Sequence, residues 1–159
     1  MRWWQVLVVG IAVLGLWAQG TMVTLRDFWV RPAGKAIPSA AYGVVHNGGA
    51  QPDTLLEATS PQAARVELHE TVRDTAGRMQ MRKVERVVVP ARDSVVLRPG
   101  GLHIMLYELQ QALRPGDTLQ LRLRFARAGW QEVRCVVGRP LQPRQRKAPA
   151  REEPHEHRH

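Results

Sequence analysis

Hydrophobic and polar positions alternate along most of this chain. In LHIMLYEL (residues 102–109), Leu102, Ile104 and Leu106 fall on one side, and His103, Met105 and Tyr107 on the other. Period two is the mark of a half-buried β-strand, because successive side chains point to opposite faces. TLQLRLRFA alternates as cleanly, and RVELHETV sets Val66 and Leu68 against Glu67 and His69. TLRDFWVR, AAYGVVH, MQMRKVERVVVP, SVVL and AGWQEVRCVV read as further strands. Between them lie turn-forming clusters, RPAGKAIP, NGGAQPD, RDTAGR, RPGG and ALRPGD, rich in Gly, Pro, Asn and Asp. Pro99-Gly100-Gly101 reads as a tight turn where the backbone turns closely just before the LHIM strand or, equally, as a simple hairpin turn. His46, beside NGG, reads as a loop residue. SPQAARVEL has room for a helical turn, but no amphipathic helix and no internal repeat is present. About eight strands with turns every 8–12 residues predict an all-β antiparallel sandwich or barrel.

The two ends break this pattern. Arg2 followed by WWQVLVVGIAVLGLWA is a short, nearly uninterrupted apolar run, and Ala18-Gln19-Gly20 offers a small-x-small cleavage site. Residues 1–20 are expected to be a signal peptide cleaved after Gly20 or, in the alternative, an uncleaved membrane anchor. Either places the remainder outside the cytoplasm. After Gly138 the sequence RPLQPRQRKAPAREEPHEHRH loses apolar periodicity and gains charge and proline, so residues 139–159 are expected to be a disordered tail. The folded domain is then residues 21–138.

Charge narrows the partners. The 159 residues carry a net charge of +9, but the arginines are scattered and alternate with apolar residues as on the wet face of a strand. With few aromatic residues to stack bases and no basic helix, nucleic acid is not an expected partner. Cys135 is the only cysteine, so an intramolecular disulfide and a thiolate cluster are both excluded. In phase with Val133 and Val137, it reads as a small buried hydrophobe.

The candidate chemistry lies in histidine and methionine. Apart from Met1 and Met22, the methionines are Met79, Met81 and Met105, within one stretch that also holds His69 and His103. All of these fall on the polar side of their predicted strands. Imidazole and thioether are neutral donors and the thioether is soft, a combination that selects Cu(I) over cations preferring oxygen. Zinc more commonly recruits thiolates or carboxylates. Thioethers also suit an oxidising compartment, where paired exposed cysteines are prone to disulfide formation.

These residues resemble the metal motif of the periplasmic copper chaperone family PCuAC. The intervals are twelve from His69 to Met81, twenty-two from Met81 to His103 and two from His103 to Met105. DFWVRPA, AAYGVVHNGG, ATSPQAARVELHE, LRPGGLHIMLYEL and LRPGDTLQLRLRFARAG are similar to the family's flanking text, so the resemblance covers residues 25–137. It implies a cupredoxin-like Greek-key β-sandwich binding Cu(I) through His69, Met81, His103 and Met105. It further implies periplasmic delivery of copper toward the CuA subunit of cytochrome c oxidase, alongside Sco-type thiol proteins. Many members carry Met after the first His; here that position is Glu70, and Met79 is a candidate auxiliary ligand in its place. His155, His157 and His159 in the tail, with Glu156, form a second candidate site whose nitrogen and oxygen donors suit Cu(II).

Other readings predict different patterns. A blue-copper electron carrier needs a Cys thiolate with two histidines, and no histidine follows Cys135 before the tail. HExxH, G-x-S-x-G and a Ser-His-Asp set are absent, so an enzyme is not expected. An exported β-sandwich for binding or adhesion, without metal, would leave the His and Met side chains in unrelated directions.

Overall fold

A computed structural model describes residues 22–138, and these form ten strands with no helix among them. In chain order they are β1 (Val23–Val30), β2 (Ser39–Asn47), β3 (Asp53–Thr59), β4 (Ala63–Arg73), β5 (Met79–Lys83), β6 (Val87–Val89), β7 (Asp93–Leu97), β8 (Leu102–Leu109), β9 (Thr118–Phe125) and β10 (Gly129–Val137). They join in one sheet of order β5-β4-β8-β2-β1-β10-β9-β3-β6, with β7 also paired to β2. Neighbours such as β4–β8, β8–β2 and β3–β9 are distant in sequence, the long crossings of a Greek-key sandwich. The expected all-β sandwich is therefore present. One pairing departs from an antiparallel scheme: β1 and β10 run parallel, which requires a long connection, here almost the whole domain.

Period-two burial builds the core. Leu119, Leu121, Leu123 and Phe125 of β9 are all buried, as are Ile104 and Leu106 of β8. Each large apolar side chain so removed from water contributes about 1.5–3 kcal/mol. Every strand except β5 places at least one residue in this single cluster. Cys135 lies fully buried within it, and burial pushes its thiol up to about 12, as expected of a structural cysteine.

In β1 the alternation is reset by a bulge. The register against β2 shifts between Arg26 and Trp29, and Asp27 adopts a left-handed φ of 56°, a conformation that Asp tolerates better than most residues. Val23 before the bulge and Phe28 and Val30 after it thus all reach the core, while Trp29 turns to the opposite face and meets Tyr42 with ring centres 4.5 Å apart. Phe28 packs flat against Gly43, where any Cβ would overlap its ring.

Three sequence expectations are corrected. MQMRKVERVVVP is two strands, not one: β5 pairs with β4 and β6 with β3, at opposite ends of the sheet order. Residues 84–86 carry the chain from one edge to the other. RPGG is a tight turn, its Gly101 amide donating to the Arg98 carbonyl, but it does not join a hairpin. β7 and β8 both pair antiparallel with β2, β7 along Gly43–Asn47 and β8 along Ser39–Ala41, so residues 98–101 are an excursion between two consecutive segments on the same edge. Gly100, with φ 76°, supplies the left-handed residue this loop needs. Finally, His46 lies within β2, opposite Thr24 and Ser94, and its Nδ1 is 2.9 Å from the Ser94 hydroxyl.

Candidate metal centre

The alternation that sends Ile104 and Leu106 inward sends His103, Met105 and Tyr107 to the opposite face of β8. On β4, Leu68 is inward and Glu67 and His69 are outward. Register then makes neighbours of residues far apart in sequence: His69 stands opposite His103 and Glu67 opposite Met105. On the other flank of β8, Ala40 stands opposite Met105. The two imidazole rings lie with centres 5.9 Å apart. Metal–imidazole bonds of about 2 Å put a ring centre roughly 3 Å from an ion, so two rings sharing one ion lie at most roughly 6 Å apart. This pair meets that limit.

The site is not the exposed sheet face that strand polarity predicts. His69, His103 and Met105 are only 9, 4 and 6% exposed. The reason is a second small cluster on the outer face, in which Ala40, Tyr42 and Met105 pack with Trp29 and Tyr107. Tyr42 lies 6.4 Å from His103 and Tyr107 lies 6.2 Å from His69, centre to centre. The Arg65 guanidinium lies 4.1 Å over the Tyr107 ring, a cation–π contact that covers the side of the site. Burial makes the methionine sulfur of this site a sheltered donor.

Hydrogen bonds define which nitrogen each ring offers. His103 Nδ1 is 2.8 Å from the Gly101 carbonyl, which can only accept, so Nδ1 carries the proton and Nε2 keeps its lone pair in the neutral ring. The same carbonyl accepts the Thr71 amide, tying the 98–101 excursion to β4. His69 Nε2 lies 2.9 Å from Glu67 Oε2. The other carboxylate oxygen, Oε1, takes Arg65 Nη1 at 2.9 Å and Lys83 Nζ at 3.1 Å. The His69 bond first, and then Lys83 and Arg65, hold the Glu67 carboxyl down at about 2 against the opposing effect of burial. Glu67 is thus ionised at neutral pH and acts as an acceptor only. His69 Nδ1 is the one described buried side-chain nitrogen or oxygen without a hydrogen-bond partner. Leaving such a group unsatisfied costs about 1–3 kcal/mol, and a native fold that does so has a reason for it.

The predicted ligands are therefore brought together unequally. His69, His103 and Met105 converge. Met81 shares their face but sits on the edge strand β5, opposite Thr71, one outward-facing pair beyond His69–Lys83, and it is 61% exposed. Met79, opposite Arg73, lies a further pair away and is also exposed. Among the described residues, no three His, Cys, Asp or Glu side chains gather as a metal site, so a site at this place needs thioether donors. The tail histidines His155, His157 and His159, and the apolar N-terminal segment, lie outside the described residues.

Sequence reasoning passed over Glu67, Tyr42, Tyr107 and Trp29. Glu67 and Tyr107 were visible as phase-mates of His69 and His103. Their adjacency across β4 and β8 is a property of register, which no single strand displays.

Comparison with known proteins agrees with this fold. The family model described as "Putative lipoprotein LpqE-like" matches residues 23–137. "Putative lipoprotein Lxx21020" of Leifsonia xyli subsp. xyli is 35% identical over 108 residues, covering 68% of this chain and 64% of that protein. "Uncharacterized protein RP573" of Rickettsia prowazekii is 28% identical over 101 residues, covering 61% of this chain and 56% of its own. The matched region thus spans less than two thirds of either relative. Among solved structures, the copper-bound PCuAC domain from PmoF2 superposes with a TM-score of 0.62 at 22% identity, over 75% of this chain and 94% of that one, a likeness of fold. The Cu(I) form of DR1885 from Deinococcus radiodurans gives a TM-score of 0.60 at 29% identity, over 80% of this chain and 85% of that one.

Proposed function

The chain belongs to the LpqE-like family, which is the PCuAC family, and on that premise we propose that it is an exported copper chaperone that carries Cu(I) on His69, His103, Met105 and Met81. The observation that carries this reading is the buried, partnerless Nδ1 of His69 facing across the β4–β8 register to a histidine whose Nε2 is also open. Two imidazoles and two thioethers add no charge to a bound Cu(I), and the thioethers discriminate against hard cations. The Cu(I) form of DR1885, 29% identical, supports the choice of metal.

The arrangement suits transfer rather than catalysis. Three donors sit in a sheltered cluster and a fourth, Met81, on an exposed edge, so an acceptor can approach from the β5 side and replace donors stepwise. We assign the acceptor as the CuA subunit of cytochrome c oxidase, with a Sco-type thiol protein as a further partner, and the compartment as the periplasm. The lipoprotein description of the family supports export. The convergence of His69, His103 and Met105 disfavours a metal-free adhesion module, which gives no reason for these side chains to meet.

Cu(I) titration against a competing chelator tests the assignment. The wild type is expected to bind one ion at the core site. His103→Ala and Met105→Ala are expected to weaken binding, the histidine change by at least about 100-fold, since even residues behind a ligand contribute 10–100-fold. Unchanged affinity in both variants, with residues 139–159 removed, would refute it. Delivery is read by mixing the Cu(I)-loaded chain with an apo CuA domain and following metal in each fraction; retention of all copper by the donor contradicts the proposed direction.

A further inference from the structure

We propose that Glu67 is a positioning residue for the metal: it holds His69 as the Nε2–H tautomer, so that the ring presents Nδ1 to the ion while His103 presents Nε2. This inference rests on the copper reading above and adds to it a residue outside the four donors and a specific nitrogen on each ring.

Three observations support it. The two oxygens of Glu67 are divided, with Oε1 taken by Arg65 and Lys83 and Oε2 left to His69 Nε2 at 2.9 Å. A carboxylate so paired has no proton to give, and therefore Nε2 must donate. Nδ1 of the same ring is buried without a partner. His103 has the opposite arrangement, with Nδ1 tied to the Gly101 carbonyl and Nε2 open. The two rings are thus set in different tautomers by different kinds of acceptor, a side-chain carboxylate for one and a main-chain carbonyl for the other. A ligand histidine whose second nitrogen is bonded to a carboxylate is fixed in orientation and made more basic.

Glu67 belongs to this role by position as well as by charge. It is two residues before His69 on the same face of β4 and directly opposite Met105 on β8. Lys83, the cross-strand partner of His69 on β5, reaches back to the same carboxylate, so the β4–β5 pairing itself holds the charge pattern in place.

The test uses the full chain labelled with ¹⁵N at histidine. Long-range ¹H–¹⁵N spectra of the metal-free protein are expected to show His69 protonated at Nε2 and His103 at Nδ1. With Ag(I) as a spin-active substitute for Cu(I), scalar coupling is expected at Nδ1 of His69 and Nε2 of His103. In Glu67→Ala, the His69 ring is expected to lose its single tautomer while His103 keeps its own, with Cu(I) affinity falling 10–100-fold. Glu67→Asp, which keeps the carboxylate, is expected to restore part of that loss; Glu67→Gln, whose amide can donate as well as accept, restores less.

An Nδ1-protonated His69 in the wild type, or a Glu67→Ala variant with unchanged tautomer and affinity, would overturn the role of Glu67. A folded wild type that takes neither Cu(I) nor Ag(I) would instead overturn the copper reading, and the tautomer spectra would still decide whether Glu67 sets the ring. Preserved backbone spectra in Glu67→Ala separate loss of positioning from loss of fold.

Discussion

At the residue scale, the site depends on which hydrogen bonds are made. Glu67 has its carboxyl held near 2 by His69, Lys83 and Arg65, compared with a usual value of 4.5. The depressed value belongs to the folded state, so the associated stability is complete above about pH 4.5 and is lost as pH falls toward 2. Denaturant midpoints are expected to decline across that window, and Glu67→Gln is expected to remove part of the decline; an identical pH profile in the variant would contradict this account. Cys135 has the opposite sign. Its thiol is raised by burial from 9.0 to about 12, so the folded state keeps its advantage below pH 9 and loses it as pH rises toward 12. At neutral pH a thiol reagent is expected to leave the native protein unlabelled and to react in full once denaturant is added. The donor types and their phase were legible in the sequence at this scale. Their burial was not: Tyr107 is a phase-mate of His103 and Met105 on β8, but Tyr42 and Trp29 arrive from β2 and β1, and nothing local to His103 or Met105 announces those two rings.

At the scale of elements, most strands were legible and their partnership was not; β3, DTLLEAT, went unread between the turn after β2 and the start of β4. β8, β9 and β10 could be read directly from alternation, since each has one face in the core. β5 and β6 merged into one expected strand because no glycine or proline lies between MQMRK and the three valines of β6; only their pairing with different edges separates them. The 98–101 excursion looked like a hairpin because Pro-Gly-Gly serves both purposes, and the choice is made by β2, which accepts β7 and β8 in turn. The bulge at Asp27 corrects the phase of β1, and its success depends on Gly43 making room for Phe28. Gly43→Ala is therefore expected to destabilise the fold by about 1–3 kcal/mol through overpacking, measured by urea denaturation, whereas Gly100→Ala is expected to act through its left-handed φ instead of through contact, since nothing lies within reach of a Cβ there. Equal stability of Gly43→Ala and wild type would show that the Phe28 ring can move aside.

For the whole molecule, one apolar core supports two different surfaces. The main cluster draws on nine strands, while the outer cluster around Met105 occupies only β1, β2 and β8 with the histidine of β4 beside it. Removing residues 139–159 is expected to leave Cu(I) binding at the core site intact and to reduce any Cu(II) binding, read by isothermal titration with each ion; loss of the Cu(I) site on truncation would mean that the tail completes it. The family assignment spans almost the whole described domain, residues 23–137, so the fold and the proposed copper site are to be understood together.

The edge strand β5 is the one strand that sends nothing into the main core, and every residue on it is exposed. Its attachment is the ladder to β4 and a few surface ion pairs, each of small worth. Local opening there leaves the rest of the sandwich whole, so its amides are expected to exchange with deuterium faster than those of β9. On the copper reading proposed above, the Met81 thioether on this strip would let go of the metal at little expense to the molecule, whereas the imidazoles beneath cannot move without disturbing packed rings. Grip and release are in that sense housed in different parts of one sheet.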